Sequence, residues 1–175
     1  PKDVRALIRT GEELGVDLSI LREVHEANER QKKLLGEKVR ARFGDELAER
    51  RFAVWGLAFK PETDDMREAA SVVLIEELLE LGADVVAHDP VAFDVAREWY
   101  LGDRVEYAED EYEACSGADA LIIVTEWLQY RRPDWDRVRR LLANPVVFDG
   151  RNLFRPERMR SEGFEYYPIG REQVR

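Results

Sequence analysis

Phe52-Ala53-Val54-Trp55-Gly56-Leu57-Ala58-Phe59, followed at once by the polar stretch 60–67, decides the fold. Eight residues without a charge, bounded by polar sequence, are too short and too continuously apolar for an amphipathic helix. They read as a strand buried on both faces. The pattern returns downstream in Asp84-Val85-Val86-Ala87-His88-Asp89-Pro90, in Ala120-Leu121-Ile122-Ile123-Val124-Thr125 and in Pro145-Val146-Val147-Phe148-Asp149, and Tyr166-Tyr167-Pro168-Ile169 closes the series. Between these runs lie helical segments over 69–81, ended by Gly82, over 92–100 and over 135–143, with a small strand and helix near 107–115. Continuous apolar strands alternating with helices predict an α/β fold, a Rossmann-like doubly wound parallel sheet.

Upstream of Arg51 the pattern differs. Val4, Leu7 and Ile8 stand at helical spacing after Asp3, which suits an N-cap, and Gly15 follows as a stop. From Leu18 to Phe43 runs a charged segment without proline, with Leu21, Val24, Leu35 and Val39 in a loose three-to-four-residue rhythm, which predicts one long helix. Its apolar stripe is modest and it exceeds the usual three or four turns, so it either packs on another chain or domain or serves as a solvated connector. The chain divides into a helical segment, 1–50, and a sheet domain, 51–175.

Composition narrows the partners. With 45% hydrophobic and 37% charged residues the chain is globular rather than disordered. Its net charge of −10 argues against nucleic acid, which needs a basic footprint, so an anionic ligand must be held by a few local cations. No run approaches the roughly 20 apolar residues of a membrane span, and the start does not resemble a signal peptide; no membrane partner is expected and the cytoplasm is the default location. Cys115 is the single cysteine and His25 and His88 show no ligand spacing, so neither an intrachain disulfide nor a metal is expected. The start at Pro1, without a methionine, reads as a piece of a longer protein.

In an open parallel sheet, ligands bind beyond the carboxyl ends of the strands. The loops there carry Phe59-Lys60-Pro61-Glu62-Thr63-Asp64-Asp65-Met66-Arg67, His88-Asp89-Pro90, Thr125-Glu126-Trp127 and Asp149-Gly150-Arg151-Asn152. Gly56 stands alone where a dinucleotide fingerprint needs three spaced glycines, so a complete NAD site in this sheet is not expected. No Gly-rich phosphate loop and no serine nucleophile elbow is present. The remaining candidates are cations: Lys60, Arg67 and Arg151 could together neutralise a diphosphate, although each could equally be a solvated side chain. Cys115 sits among acidic neighbours that raise a thiol pKa and reads as structural. His88 reads as a strand end, and Trp127, Tyr130 and Trp135 as packing over the sheet edge before stacking on a base.

Four passages carry a family resemblance. Pro1-Lys2-Asp3-Val4-Arg5-Ala6-Leu7, the lysine loop Gly56-Leu57-Ala58-Phe59-Lys60-Pro61 with Thr63-Asp64-Asp65-Met66-Arg67, Asp149-Gly150-Arg151, and Ile169-Gly170-Arg171 together resemble the UDP-glucose dehydrogenases of the UDP-glucose/GDP-mannose dehydrogenase family, over essentially the whole chain. The resemblance implies oxidation of UDP-glucose to UDP-glucuronate in two hydride transfers to NAD, through a cysteine thiohemiacetal and thioester. It implies that Asp3 orients or activates the hydrolytic water, that Phe59, Lys60 and Arg151 bind substrate, and that Lys2 and Arg67 approach NAD. It also implies that NAD is held mainly by another domain, that the catalytic cysteine precedes Pro1, and that the long helix pairs two subunits in a homodimer. The division at 50/51 then separates a dimerising helical part from a UDP-sugar-binding domain. A relative acting on GDP-mannose or a UDP-N-acetylaminosugar, and a stand-alone nucleotide-binding or dimerisation module, are the alternatives.

Overall fold

The computed structural model describes residues 2–175. Helix α1 (Lys2–Glu13) turns at Gly15, which takes the left-handed conformation at φ 66°, and leads into the 25-residue helix α2 (Ser19–Phe43). Asp3, expected as the N-cap, lies inside the first turn of α1.

Six strands follow: β1 (Arg51–Trp55), β2 (Asp84–His88), β3 (Glu106–Tyr107), β4 (Ala120–Ile123), β5 (Val146–Asp149) and β6 (Glu165–Pro168). They form one parallel sheet in the order β3-β2-β1-β4-β5-β6. This is the expected doubly wound α/β architecture, and the order reverses between β1 and β4, where such sheets open a crevice. Phe52 to Trp55, Ala120 to Ile123 and Val146 to Phe148 are fully buried, which explains why they lack the polar alternation of a one-faced sheet. The crossovers contain α3 (Ala70–Glu80), α4 (Phe93–Val95) widening into a π-helical turn over Ala96–Tyr100, α5 (Glu111–Ala114), α6 (Trp135–Leu141) and α7 (Pro156–Ser161). Asp110 caps α5 by accepting from the Tyr112 and Glu113 amides, and Asp134 caps α6 by accepting from the Arg137 amide.

The strands are shorter than the apolar runs predict. The first ends at Trp55 because Gly56, at φ 94°, turns the chain beneath the next loop; a Cβ there would fall 2.4 Å from the Thr125 Cβ. The second ends at His88 because the Asp89 carboxylate takes over as acceptor, and Pro90 has no N–H to offer a ladder. A 3-10 turn over Leu128–Arg131, helix α7 and an antiparallel bridge from Val174 to Tyr166 were not expected.

Helix α2 is anchored only by its second half. Leu35, Gly36 and Val39 are buried, whereas 19–34 contain no buried residue. Small residues permit the close approach. A Cβ on Gly36 would fall 2.1 Å from the Glu77 carboxylate on α3, and one on Gly150 would fall 2.6 Å from Leu35 Cδ1. Helix α1, the turn after it and the free half of α2 carry exposed Leu7, Leu14, Val16, Ile20 and Val24. No helix of the described residues is long and apolar enough to cross a membrane, and they contain no cluster of metal-ligating side chains.

Candidate functional site

Two buried carboxylates organise the loops at the carboxyl edge of the sheet. Asp89 accepts from the amides of Leu57, Ala58, Val91 and Ala92 and from Trp127 Nε1, at 2.7–3.1 Å. Asp149, with no exposed surface, accepts from the amides of Arg151, Leu153 and Phe154 and from the Tyr166 hydroxyl. With their acceptor sites filled, both acids hold loop geometry rather than serve as free bases. Burial, followed by the neighbouring Asp149 charge, pushes the Tyr166 hydroxyl pKa up. Sequence reasoning did not single out these roles; an Asp ending each of two buried strands was the available signal.

Where α2 passes over this edge, a cavity of about 410 Å³ opens. Phe59 and Arg151, from the loops after β1 and β5, line it together with Lys32, Asn28 and Gln31 of α2 and with Glu68. Its apolar walls are Leu35, Val124 and Ile169. The size and the mixture of apolar wall with a few polar groups suit a small organic ligand.

The expected cations do not all meet there. Arg151 reaches the cavity with its guanidinium paired to both carboxylate oxygens of Glu126, Nη2 to Oε1 at 2.7 Å. Burial raises the Glu126 pKa, but hydrogen bonds and charge from Arg151 outweigh it and leave the carboxyl below its ordinary value. Lys60 is exposed beside the cavity rather than among its lining residues. Arg67 folds back on its own loop: its amide, Nε and Nη2 donate to Asp65 at 2.6–3.0 Å. Those hydrogen bonds hold the Asp65 carboxyl at a pKa of about 2. Arg67 lines a separate open cleft with Trp99, Tyr100 and Val95. Asp3 is exposed on α1, and the side chain of Lys2 lies outside the described part of the structure.

Two further side chains at the cavity were not foreseen. Lys32 Nζ donates to Glu29 at 2.8 Å and to Glu68 at 2.6 Å. Glu68 also pairs with Arg5 of α1, so it ties both helices to the loop after β1. Its φ of 63° is uncommon for a side chain of this kind, a local irregularity that composition does not reveal.

The remaining candidates are structural. Cys115 is fully buried, and desolvation pushes its thiol pKa far up, so no ready thiolate forms. Burial lowers the pKa of His88, whose Nδ1 lies 2.8 Å from the Tyr130 hydroxyl. Trp127, Tyr130 and Trp135 are buried in the core. Nor does the β1 crossover fit a dinucleotide. Thr125 fills the space at Gly56, and the amides of Leu57 and Ala58, which would face a pyrophosphate, are taken by Asp89. The β1 crossover therefore presents no open amides to a pyrophosphate.

Residues 53–156 match the UDP binding domain of the UDP-glucose/GDP-mannose dehydrogenase family. The UDP-glucose 6-dehydrogenase of Pseudomonas aeruginosa is 49% identical over 99% of this chain, which spans 39% of that protein's length. A UDP-glucose dehydrogenase from the hyperthermophilic archaeon Pyrobaculum islandicum superposes with a TM-score of 0.80 at 38% identity, over 95% of this chain and 36% of that one. An NDP-N-acetyl-D-galactosaminuronic acid dehydrogenase from Methanosarcina mazei superposes with a TM-score of 0.73 at 28% identity, over 94% of this chain and 36% of that one. The chain therefore belongs to the UDP-glucose/GDP-mannose dehydrogenase family and carries its UDP-binding domain.

Proposed function

We propose that this chain supplies nucleotide-sugar binding and subunit pairing to an NAD-dependent UDP-glucose 6-dehydrogenase that oxidises UDP-glucose to UDP-glucuronate. The observation that carries the reading is the cavity between α2 and the sheet edge, lined by Phe59 and Arg151, in a chain with the family's UDP-binding domain. In this reading Arg151 and the nearby Lys60 hold the diphosphate through charge-assisted hydrogen bonds, and Phe59 covers the sugar nucleotide. Residues 51–175 form the UDP-sugar-binding domain and 1–50 the pairing part, whose helix α2 also closes one side of the cavity. Asp3 orients the water that hydrolyses a cysteine thioester, and the thiol comes from elsewhere in the whole protein, because Cys115 is inert. Lys2 and Arg67 reach toward NAD held by another domain.

Calorimetric titration of the chain with UDP, UDP-glucose, GDP-mannose and NAD tests this. UDP binds selectively and weakly, the sugar adds little, NAD is silent, and no NAD is reduced. Tighter binding of GDP-mannose would move the substrate to another member of the family; silence toward every nucleotide would remove the site from this chain. Pairing through α2 buries the exposed apolar side chains of α1 and α2 in an isologous contact. Sedimentation equilibrium then reports a dimer, and a monomer at high concentration contradicts the pairing.

A further inference from the structure

The loops after the strands are where a family with this sheet holds anions, yet the least solvated cation at the cavity comes from a helix. Lys32 stands three residues before Leu35, on the face of α2 that turns toward the sheet edge. Its side chain is 13% exposed, on a stretch of helix without a fully buried residue, and it lies outside the residues matching the UDP-binding domain. The anchor formed by Leu35, Gly36 and Val39 one turn away fixes its position.

The ammonium gives one donor to Glu29 and one to Glu68, which leaves a third. Lys32, Glu68 and Arg151 line the same cavity. A guanidinium on one side, with Nε and Nη2 held by Glu126, and a compact ammonium on the other place two cations where a group with two linked phosphates could bridge them. Two carboxylates stand in the way: a diphosphate entering the cavity competes with Glu68 for Lys32 and with Glu126 for Arg151.

We infer that Lys32 is a second phosphate-binding cation of this cavity, with Glu68 occupying its ammonium until the diphosphate of a nucleotide ligand takes that place; the inference rests on the nucleotide-sugar reading above. Such an arrangement keeps the lysine oriented while the cavity is empty. It also makes the two substitutions act with opposite sign, which a purely structural ion pair does not.

The test is calorimetric titration of UDP into the wild-type chain and into Lys32→Met, Lys32→Arg, Glu68→Gln and Arg151→Ala, with circular dichroism to confirm that each variant folds. Lys32→Met weakens UDP binding about tenfold or more, as loss of a charge-assisted hydrogen bond does. Lys32→Arg keeps the charge and stays within about threefold of wild type, and Glu68→Gln binds UDP as tightly as wild type or more so. Wild-type affinity in Lys32→Met alongside weakened binding in Arg151→Ala overturns the inference and leaves the nucleotide-sugar site standing. Equal losses in Glu68→Gln and Lys32→Met overturn the competition and make Glu68 a positioning residue. If the wild-type chain itself shows no saturable UDP binding, the nucleotide-sugar reading falls and this inference falls with it.

Discussion

The loop after β5 and the loop after β1 both bring a cation to the same sheet edge, but they are built in opposite ways. In the first, Asp149 collects three amides and a tyrosine hydroxyl, and Asn152, at φ 54°, exchanges two hydrogen bonds with the Ile169 backbone. Asparagine tolerates that conformation, and Arg151 leaves the loop already aimed by Glu126. In the second, two glutamates, Glu62 and Glu68, sit at φ 61° and 63°, and Lys60 and Phe59 are exposed. A rigid loop presents a preset charge, whereas the strained loop keeps its lysine free to follow a ligand. Positive charge at one edge can thus be preorganised at one point and adaptable at another, and the ordering cost on binding falls mainly on the adaptable side.

The largest way to break the contrast is Asp149→Ala. It strands the buried Phe154 amide and Tyr166 hydroxyl along with two part-buried amides, and stability falls by about 3 kcal/mol, read as a lower urea midpoint. A loss under about 1 kcal/mol would mean that the β5 loop is not pinned as described. Ligand affinity separates the loops next. Arg151→Ala weakens UDP binding by about 3 kcal/mol and Lys60→Ala by nearer 1.5 kcal/mol, because the lysine must be ordered on binding. Lys60→Ala leaves the unfolding free energy from the urea titration within about 0.5 kcal/mol of wild type. Unchanged UDP affinity in both variants would sink the site assignment.

Two smaller effects sharpen the picture of the β1 loop. Glu62→Gly removes a side chain from the left-handed region and raises stability by about 1 kcal/mol, measured in the same unfolding assay. The Asp65–Arg67 clasp acts in acid. Its carboxyl pKa is depressed from the ordinary 3.8 to about 2, so the stabilisation is complete above pH 3.8 and is lost as pH falls toward 2. An NMR titration of Asp65 with a midpoint near 3.8 would show that the clasp does not hold in solution.

The sheet was legible because burial on both faces leaves a mark at every residue: Phe52 to Trp55 and Ala120 to Ile123 are apolar without interruption, and alternation with helical segments then fixes a parallel order. The end of the first strand was not legible, since Gly56 turns the chain against Thr125, 69 residues away, whereas Pro90 marked the end of the second. Arg151, which lines the cavity, was singled out as a cation on the loop after a predicted strand, whereas Phe59, the last residue of the predicted run, was named only through the family resemblance. Lys32 and Glu68 were missed because their meeting depends on how α2 crosses the sheet edge, and the small residues Gly36 and Gly150 that set this crossing carry no chemical signal of their own. Arg67, grouped with Lys60 and Arg151 by its position at the same edge, proved to be turned away by Asp65, a carboxylate two residues off.

A crystal structure of this chain grown with UDP tests the central claim most directly. The diphosphate is expected in the cavity between α2 and the β5 loop, within hydrogen-bond distance of the Arg151 guanidinium. A nucleotide bound instead in the cleft of Arg67 and Trp99, or on any other face, would contradict it.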